Sequence, residues 1–243
     1  MKSNSISERD DSELEALLAG LASPAKAVAR RSAEALAARV LSDPKITLML
    51  RAALSHPDAR MRWGAAYALG MIEGALGADA IPALVEAIGS RDGDIRWAAA
   101  ELIIRIGREH PNLMRDALAA IGDDAGIEAG KMALYCLRDL GASGPDVMAR
   151  AVAAARSTHP ALRLAALAIL SRCVGTDVSV ATEIVLEMLE SDADAGVRRG
   201  AAIALGRIGE KSAHIAAALL RASASDDASL ARAAQRSLAL LGE

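Results

Sequence analysis

The residues able to do chemistry in this sequence are few and scattered. They are four histidines (His56, His110, His159 and His214), two cysteines (Cys136 and Cys173), and three Asp/Arg pairs four residues apart, Asp58/Arg62, Asp92/Arg96 and Asp194/Arg198. A protein metal site needs several His, Cys or carboxylate ligands converging at fixed spacing. Here three histidines each precede a proline in a turn or at a helix start and the fourth stands alone, so no metal site is expected. The cysteines sit at apolar positions of helical patterns and make neither a metal spacing nor a disulfide framework, which marks them as small core residues. No Ser–His–Asp arrangement and no glycine-rich phosphate loop is present. No catalytic residue and no cofactor are expected, and the chain reads as non-enzymatic.

The elements that would position any site follow from a repeat. A helical phrase returns seven times at intervals of 33 to 35 residues, most clearly in Val197–Gly209 and Met61–Ile72. Its first apolar residue, the anchor, is Val28, Met61, Ile95, Ala129, Leu162, Val197 and Leu230 in turn. Four residues on stand Ser32, Ala65, Ala99, Ala133, Ala166, Ala201 and Ala234; eight residues on stand Leu36, Leu69, Ile103, Leu137, Leu170, Leu205 and Leu238. Large apolar at one offset and small at another describes a helix seam of fixed depth. A second amphipathic helix precedes each one, with stripes such as Ile81, Leu84, Val85, Ile88 at helical spacing. A period of this length means stacked helix pairs, each burying its apolar face on its neighbours.

The prolines agree with that layout. Pro44, Pro82, Pro111 and Pro145 fall in the first turn of a first helix, and Pro24, Pro57 and Pro160 in the turn between helices. Ser12 with Glu15 reads as a capping box opening the first helix. Residues 1–12 are polar and are expected to be a disordered N-terminal segment, leaving 13–243 as a single solenoid. Polar substitutions in the end repeats (Arg39, Gln235) suit caps, so seven repeats are expected to make a complete stack. Gly122, Gly126 and Gly130 make the fourth repeat irregular.

Composition narrows the function. Of 243 residues 53% are hydrophobic but only 2% aromatic, with no Phe, so small side chains supply the apolar content and helix axes can approach closely. A net charge of −3 argues against a general nucleic-acid binder, whose affinity comes from cations on phosphates. Charge interrupts every apolar stretch before it could span a membrane, and no signal peptide is evident, so a cytoplasmic protein is expected.

The phrase Asp-x-x-[Val/Ile]-Arg-x-x-Ala-Ala-x-Ala-Leu-Gly-x-Ile-Gly, best kept in Asp194–Gly209, Asp58–Ile72 and Asp92–Gly107, resembles the HEAT-like repeat named after the phycobilisome lyases. The resemblance covers nearly the whole chain; repeats 1, 4 and 7 depart from it in lacking the arginine after the anchor. It implies an all-α, armadillo-like, right-handed α-solenoid of about seven two-helix repeats, with the second helix of each pair lining the concave surface. HEAT-like metalloenzymes carry His-Glu dipeptides, and this chain has none. The recurring Asp/Arg pairs are best explained as structural, the Asp capping a helix and the Arg reaching it or the neighbouring repeat.

Offsets two, six and ten past the anchor share one helical face, left over once the core offsets are assigned. All four aromatics fall on it: Trp63, Tyr67, Trp97 and Tyr135. So do Arg30, Arg105, Lys131, Arg172, Arg199, Arg207, Arg232 and Arg236, against only Glu34, Glu101 and Asp139. Arginines at offset ten could serve only to complement helix C-termini. The expected partner-binding set is Trp63, Tyr67, Trp97, Arg105, Lys131, Tyr135, Arg172 and Arg199. The function expected is a protein-interaction scaffold or adaptor holding an acidic or amphipathic partner segment. The resemblance also allows a bilin lyase-like, tetrapyrrole-binding subunit or, less favoured by the acidity, a HEAT-like DNA-repair glycosylase.

Overall fold

The computed structural model describes residues 2–173, 175 and 177–242. These form fourteen α-helices and two short 3-10 turns, with no strand among them. Two compact units divide the chain, Met1–Met114 and Arg115–Glu243. The first holds the pairs α1 (Lys2–Gly20) and α2 (Lys26–Arg39), α3 (Lys45–Ala53) and α4 (Ala59–Met71), and α5 (Ile81–Ala87) and α6 (Gly93–Glu109). Helix α7 (Pro111–Ala119) crosses the boundary, and α8 (Ile127–Asp139) completes the fourth pair. The second unit continues with α9 (Pro145–Ala155) and α10 (Pro160–Leu170), α11 (Asp177–Ser191) and α12 (Ala195–Ile208), and α13 (Ala213–Ser223) and α14 (Ala228–Gly242). The seven pairs follow the sequence repeat, and the division between units falls in the irregular fourth. Two local expectations shift. Helix α1 begins ahead of Ser12, which therefore lies inside it, and Pro160 is the first residue of α10 instead of a turn residue.

The turn between the two helices of a pair reuses a few parts from repeat to repeat. Asp58, Asp92 and Asp194 are the N-caps of α4, α6 and α12, accepting from the N–H groups of Arg60, Asp94 and Val197. The anchor-plus-one arginine does not bond its own Asp. Its Nη1 donates six residues back, to the carbonyls of His56 from Arg62 (2.6 Å), Ser90 from Arg96 (2.7 Å), Ser157 from Arg163 (2.9 Å) and Asp192 from Arg198 (2.7 Å). Two of these guanidiniums also reach the next repeat, Arg62 to Glu86 (2.6 Å) and Arg163 to Asp192 (2.7 Å). The side chain five residues before the anchor contributes as well. Ser23, His56, Ser90, Ser157, Asp192 and Ser225 each accept the backbone N–H two residues ahead. These bonds satisfy donors and acceptors that a tight turn leaves open.

The core sits where the offsets place it. All seven offset-four residues are buried, and of the offset-eight residues only Leu238, in the last repeat, is half-exposed. Within each unit the second helices stack on one another, α2 on α4 on α6, and α8 on α10 on α12 on α14, more closely than the first helices do. The small offset-four side chains permit this. Helix α4 also lies close to the end of the first pair's α1: a Cβ on Gly64 would lie 2.8 Å from both Cβ and the carbonyl oxygen of Leu21. In the irregular repeat, Gly130 takes the place of the arginine, and the buried Arg150 of α9 reaches within 2.8 Å of where its Cβ would be.

Helix propensity alone would make Gly64→Ala stabilising by about 1 kcal/mol. The contact with the Leu21 backbone reverses the sign, since overpacking costs about 1–3 kcal/mol. Gly93→Ala, whose Cβ would meet only Arg96 Nη2 at 3.7 Å, is the matched control. Thermal melts should show Gly64→Ala below wild type and Gly93→Ala at or above it.

The Asp192–Arg163 pair is nearly buried, with side chains 6% and 14% exposed. Burial by itself would raise the Asp192 carboxyl, but Arg163, the Asp194 N–H and Arg198 outweigh it and hold the group below the ordinary carboxylate range. Removing one partner of such a pair costs about 3 kcal/mol, the value expected for Asp192→Ala at neutral pH. Because the folded value is the lower one, the stabilisation is complete above the unfolded value of about 4 and is lost as pH falls through the folded value. Melting curves of wild type and variant should therefore differ at neutral pH and converge in acid.

Candidate interaction surface

In the first unit the aromatic residues lie on the stacked second helices. Trp63 and Tyr67, one turn apart on α4, stack with ring centroids 5.4 Å apart and planes tilted by 34°. Both are half-buried, so each ring keeps an open side. Trp97, at the equivalent offset of α6, is 68% exposed, in contrast to the buried apolar residues around the same helix. Met71 continues the α4 stripe and is also exposed. Arg105 bonds backward, its Nη2 donating to the Gly70 carbonyl (2.6 Å) near the end of α4. It thus satisfies a carbonyl that the helix end leaves open.

In the second unit the expected residues have more varied duties. Arg172 repeats the role of Arg105, donating to the Arg138 carbonyl (3.0 Å) in the last turn of α8. Lys131 is half-buried and pairs with Glu128 at 2.8 Å. Tyr135 is half-buried with the Arg138 guanidinium 5.1 Å from its ring centroid, a cation–π contact that occupies one face. Arg199 of α12 is exposed and, with Arg207 of the same helix and Arg232 and Arg236 of α14, lines a cleft between α12 and α14. The expected set therefore divides: Trp63, Tyr67, Trp97 and Arg105 belong to the first unit, and Lys131, Tyr135, Arg172 and Arg199 to the second.

The residues of obvious chemical type are spent on structure. His56 accepts the Asp58 N–H through Nδ1 (3.0 Å) and has its carbonyl held by Arg62, so it belongs to the turn. Among the described residues no three His, Cys, Asp or Glu side chains gather as metal ligands would. Burial pushes the Cys136 thiol up to about 12. Burial, helped by Asp177, also raises Cys173, whose Sγ lies 3.7 Å from Met148 Sδ. Both are thiols at neutral pH, and the thiolate is the nucleophilic form. Cys173 borders a second cavity of about 430 Å³, walled by Arg138, Val147, Met148, Ile169 and Arg172.

Sequence reasoning missed two features. One is the acceptor column five residues before the anchor, which was legible as Ser, His or Asp at a fixed offset. The other is the buried Arg150, for which the missing arginine at Gly130 was the only signal. Among the described residues no helix is long and apolar enough to cross a membrane.

Comparisons with known proteins agree with the fold. Residues 14–104 match the HEAT repeats family. No curated protein matches the chain in sequence. An archaeal HEAT-like repeats protein from Thermococcus onnurineus NA1 superposes with a TM-score of 0.53 at 11% identity, over 94% of this chain and 97% of that one. Human deoxyhypusine hydroxylase aligns over 97% of this chain and 98% of its own at 16% identity, with a TM-score of 0.38. The complex of CpcE and CpcF of phycocyanin lyase from Nostoc sp. PCC7120 aligns over 94% and 93% at 21% identity, with a TM-score of 0.39. The archaeal likeness supports the fold alone, and the other two are too distant to bear on activity. With its period, its paired helices and a HEAT repeats match over residues 14–104, the chain has the all-α solenoid fold seen in HEAT-like repeat proteins.

Proposed function

We propose that this protein is a non-enzymatic interaction scaffold that holds an acidic or amphipathic segment of a partner protein on its second-helix face. The observation that carries this is Trp97. In a chain with two tryptophans and no phenylalanine, one tryptophan stands 68% exposed beside the stacked Trp63–Tyr67 pair on the same helix layer. Large rigid aromatics left in water are expensive unless a partner covers them, and Trp and Tyr dominate binding hot spots because they bury much area at small entropic cost. Trp63, Tyr67 and Trp97 would anchor apolar side chains of the segment, with Arg105 beside them. On the second unit, Lys131, Tyr135, Arg172 and Arg199 would meet polar and acidic residues of a partner. Arg105 and Arg172 act here with part of the guanidinium already committed to a helix end, which fixes their direction. A scaffold also suits a site where both thiols are protonated and every histidine is exposed.

The test compares wild type with Trp97→Ala and Trp63→Ala in affinity capture, alongside thermal melts. Trp97→Ala should melt within about 0.5 kcal/mol of wild type, as exposed positions do, yet lose the captured partner. Trp63→Ala should lose the partner and also about 1 kcal/mol from the stacking on Tyr67. Recovery of the same proteins by all three would overturn the proposal. A visible absorbance band that appears on mixing with a free tetrapyrrole and depends on Trp97 would replace a protein segment with that ligand.

A further inference from the structure

We propose that the cleft between α12 and α14 seats an acidic amphipathic helix, its carboxylates held by Arg199, Arg207, Arg232 and Arg236 around an apolar side chain resting on Ile203. The inference deepens the scaffold reading, and rests on it only in taking the partner to be a polypeptide. Offsets two, six and ten carry Arg199, Ile203 and Arg207 on α12, and Arg232, Arg236 and Leu240 on α14. Residues four apart are neighbours on one helix face, so each stripe runs roughly 12 Å along its helix. The two helices are locked close together: Ser237 Oγ donates to the Ala202 carbonyl (2.8 Å), and a Cβ on Gly206 would lie 3.0 Å from Ser237 Cα. The stripes line a cleft of about 500 Å³ with no carboxylate in its walls.

The charge there is uncompensated in a way the rest of the face is not. Arg30 has Glu34, Lys131 has Glu128, and Arg105 and Arg172 hold carbonyls. Among the described residues Arg199, Arg207 and Arg236 make no hydrogen bond or ion pair, and Arg232 makes one bond, to Ser229 Oγ (3.2 Å). Asp227, the N-terminal cap of α14, feels Arg199, but its carboxylate is already taken by the N–H groups of Leu230 and Ser229, the main cause of its lowered pKa. Four like charges sharing one cleft repel, and a carboxylate that accepts two guanidinium N–H bonds relieves that repulsion.

Ile203 and Leu240, 40% and 59% exposed, stand between and beside the arginines. A phosphate polymer offers these side chains nothing, and a chain of net charge −3 opposes a long polyanion. A helix with acids at i and i+4 presents carboxylates at the spacing of Arg232 and Arg236, and its apolar stripe fits a groove between two helices.

The experiment is fluorescence anisotropy of the full chain with a labelled helical peptide carrying Glu at i and i+4 around a central Leu. Wild type should bind with strong salt dependence. Arg199→Gln/Arg232→Gln should weaken binding by about tenfold or more with an unchanged melting curve. A peptide with Gln in place of Glu should not bind. If the double variant does not fold, Arg207→Gln/Arg236→Gln, which breaks no internal bond, takes its place. Absence of binding at low salt, equal affinity of the arginine variants, or displacement by polyphosphate or single-stranded DNA at lower concentration than unlabelled peptide would overturn the proposal. Because capture through Trp97 is measured separately, its survival in any of these outcomes removes the cleft and leaves the scaffold standing.

Discussion

One bond recurs wherever the repeat is well formed: an arginine at the start of a second helix donates to the carbonyl six residues back, across the turn from the first helix. It fixes the angle at which the two helices of a pair meet, because the donor is rigidly part of one and the acceptor ends the other. In two repeats the same guanidinium also grips a carboxylate of the next pair, Glu86 or Asp192, so one side chain sets both the pair and its place in the stack. The Asp caps and the acceptor column behind them complete the turn. Without such a joint the alanine-rich seam would have little to choose between neighbouring registers, since small side chains interlock weakly.

The joint explains which charged residues remain for other work. An Asp/Arg pair repeated at equivalent positions invites interpretation as a site, yet each member bonds backbone or an adjoining repeat. The ridge cations divide the same way. Those of α2, α6 and α8, with Arg172 just past α10, are occupied by acids or helix ends, and the unoccupied ones collect on α12 and α14. The aromatic residues show the opposite distribution, with the most exposed ring on α6 in the first unit. The most exposed aromatic ring and the unpaired arginines thus stand on different units of the chain.

Much of this was legible in the residues. The seven small offset-four residues, the offset-eight column and the helix pairing follow from period and volume alone, because a seam of constant depth must repeat its side-chain sizes. The outward ridge emerged by subtraction, and Trp97 stands there as expected. The acceptor column escaped notice because Ser, His and Asp share no size or charge, only the ability to accept an N–H. The duty of the offset-ten arginines was half visible. Complementing helix ends describes Arg105 and Arg172 but not Arg207, and the difference depends on which carbonyl the preceding repeat presents. Arg150 could not be read at all, since a buried guanidinium beside a glycine depends on two helices meeting.

The face at offsets two, six and ten has a further property. Apart from the Trp63–Tyr67 stack and the bonds of Arg105 and Arg172 to the preceding repeat, its residues contribute little to the seam: the buried offsets lie on the other side of the same helices, and the turn is held by residues outside both sets. Most of these positions can therefore change their chemistry while the framework stays as it is. Such a chain is a ruled page, on which selection can rewrite the text recognised by a partner without disturbing the lines.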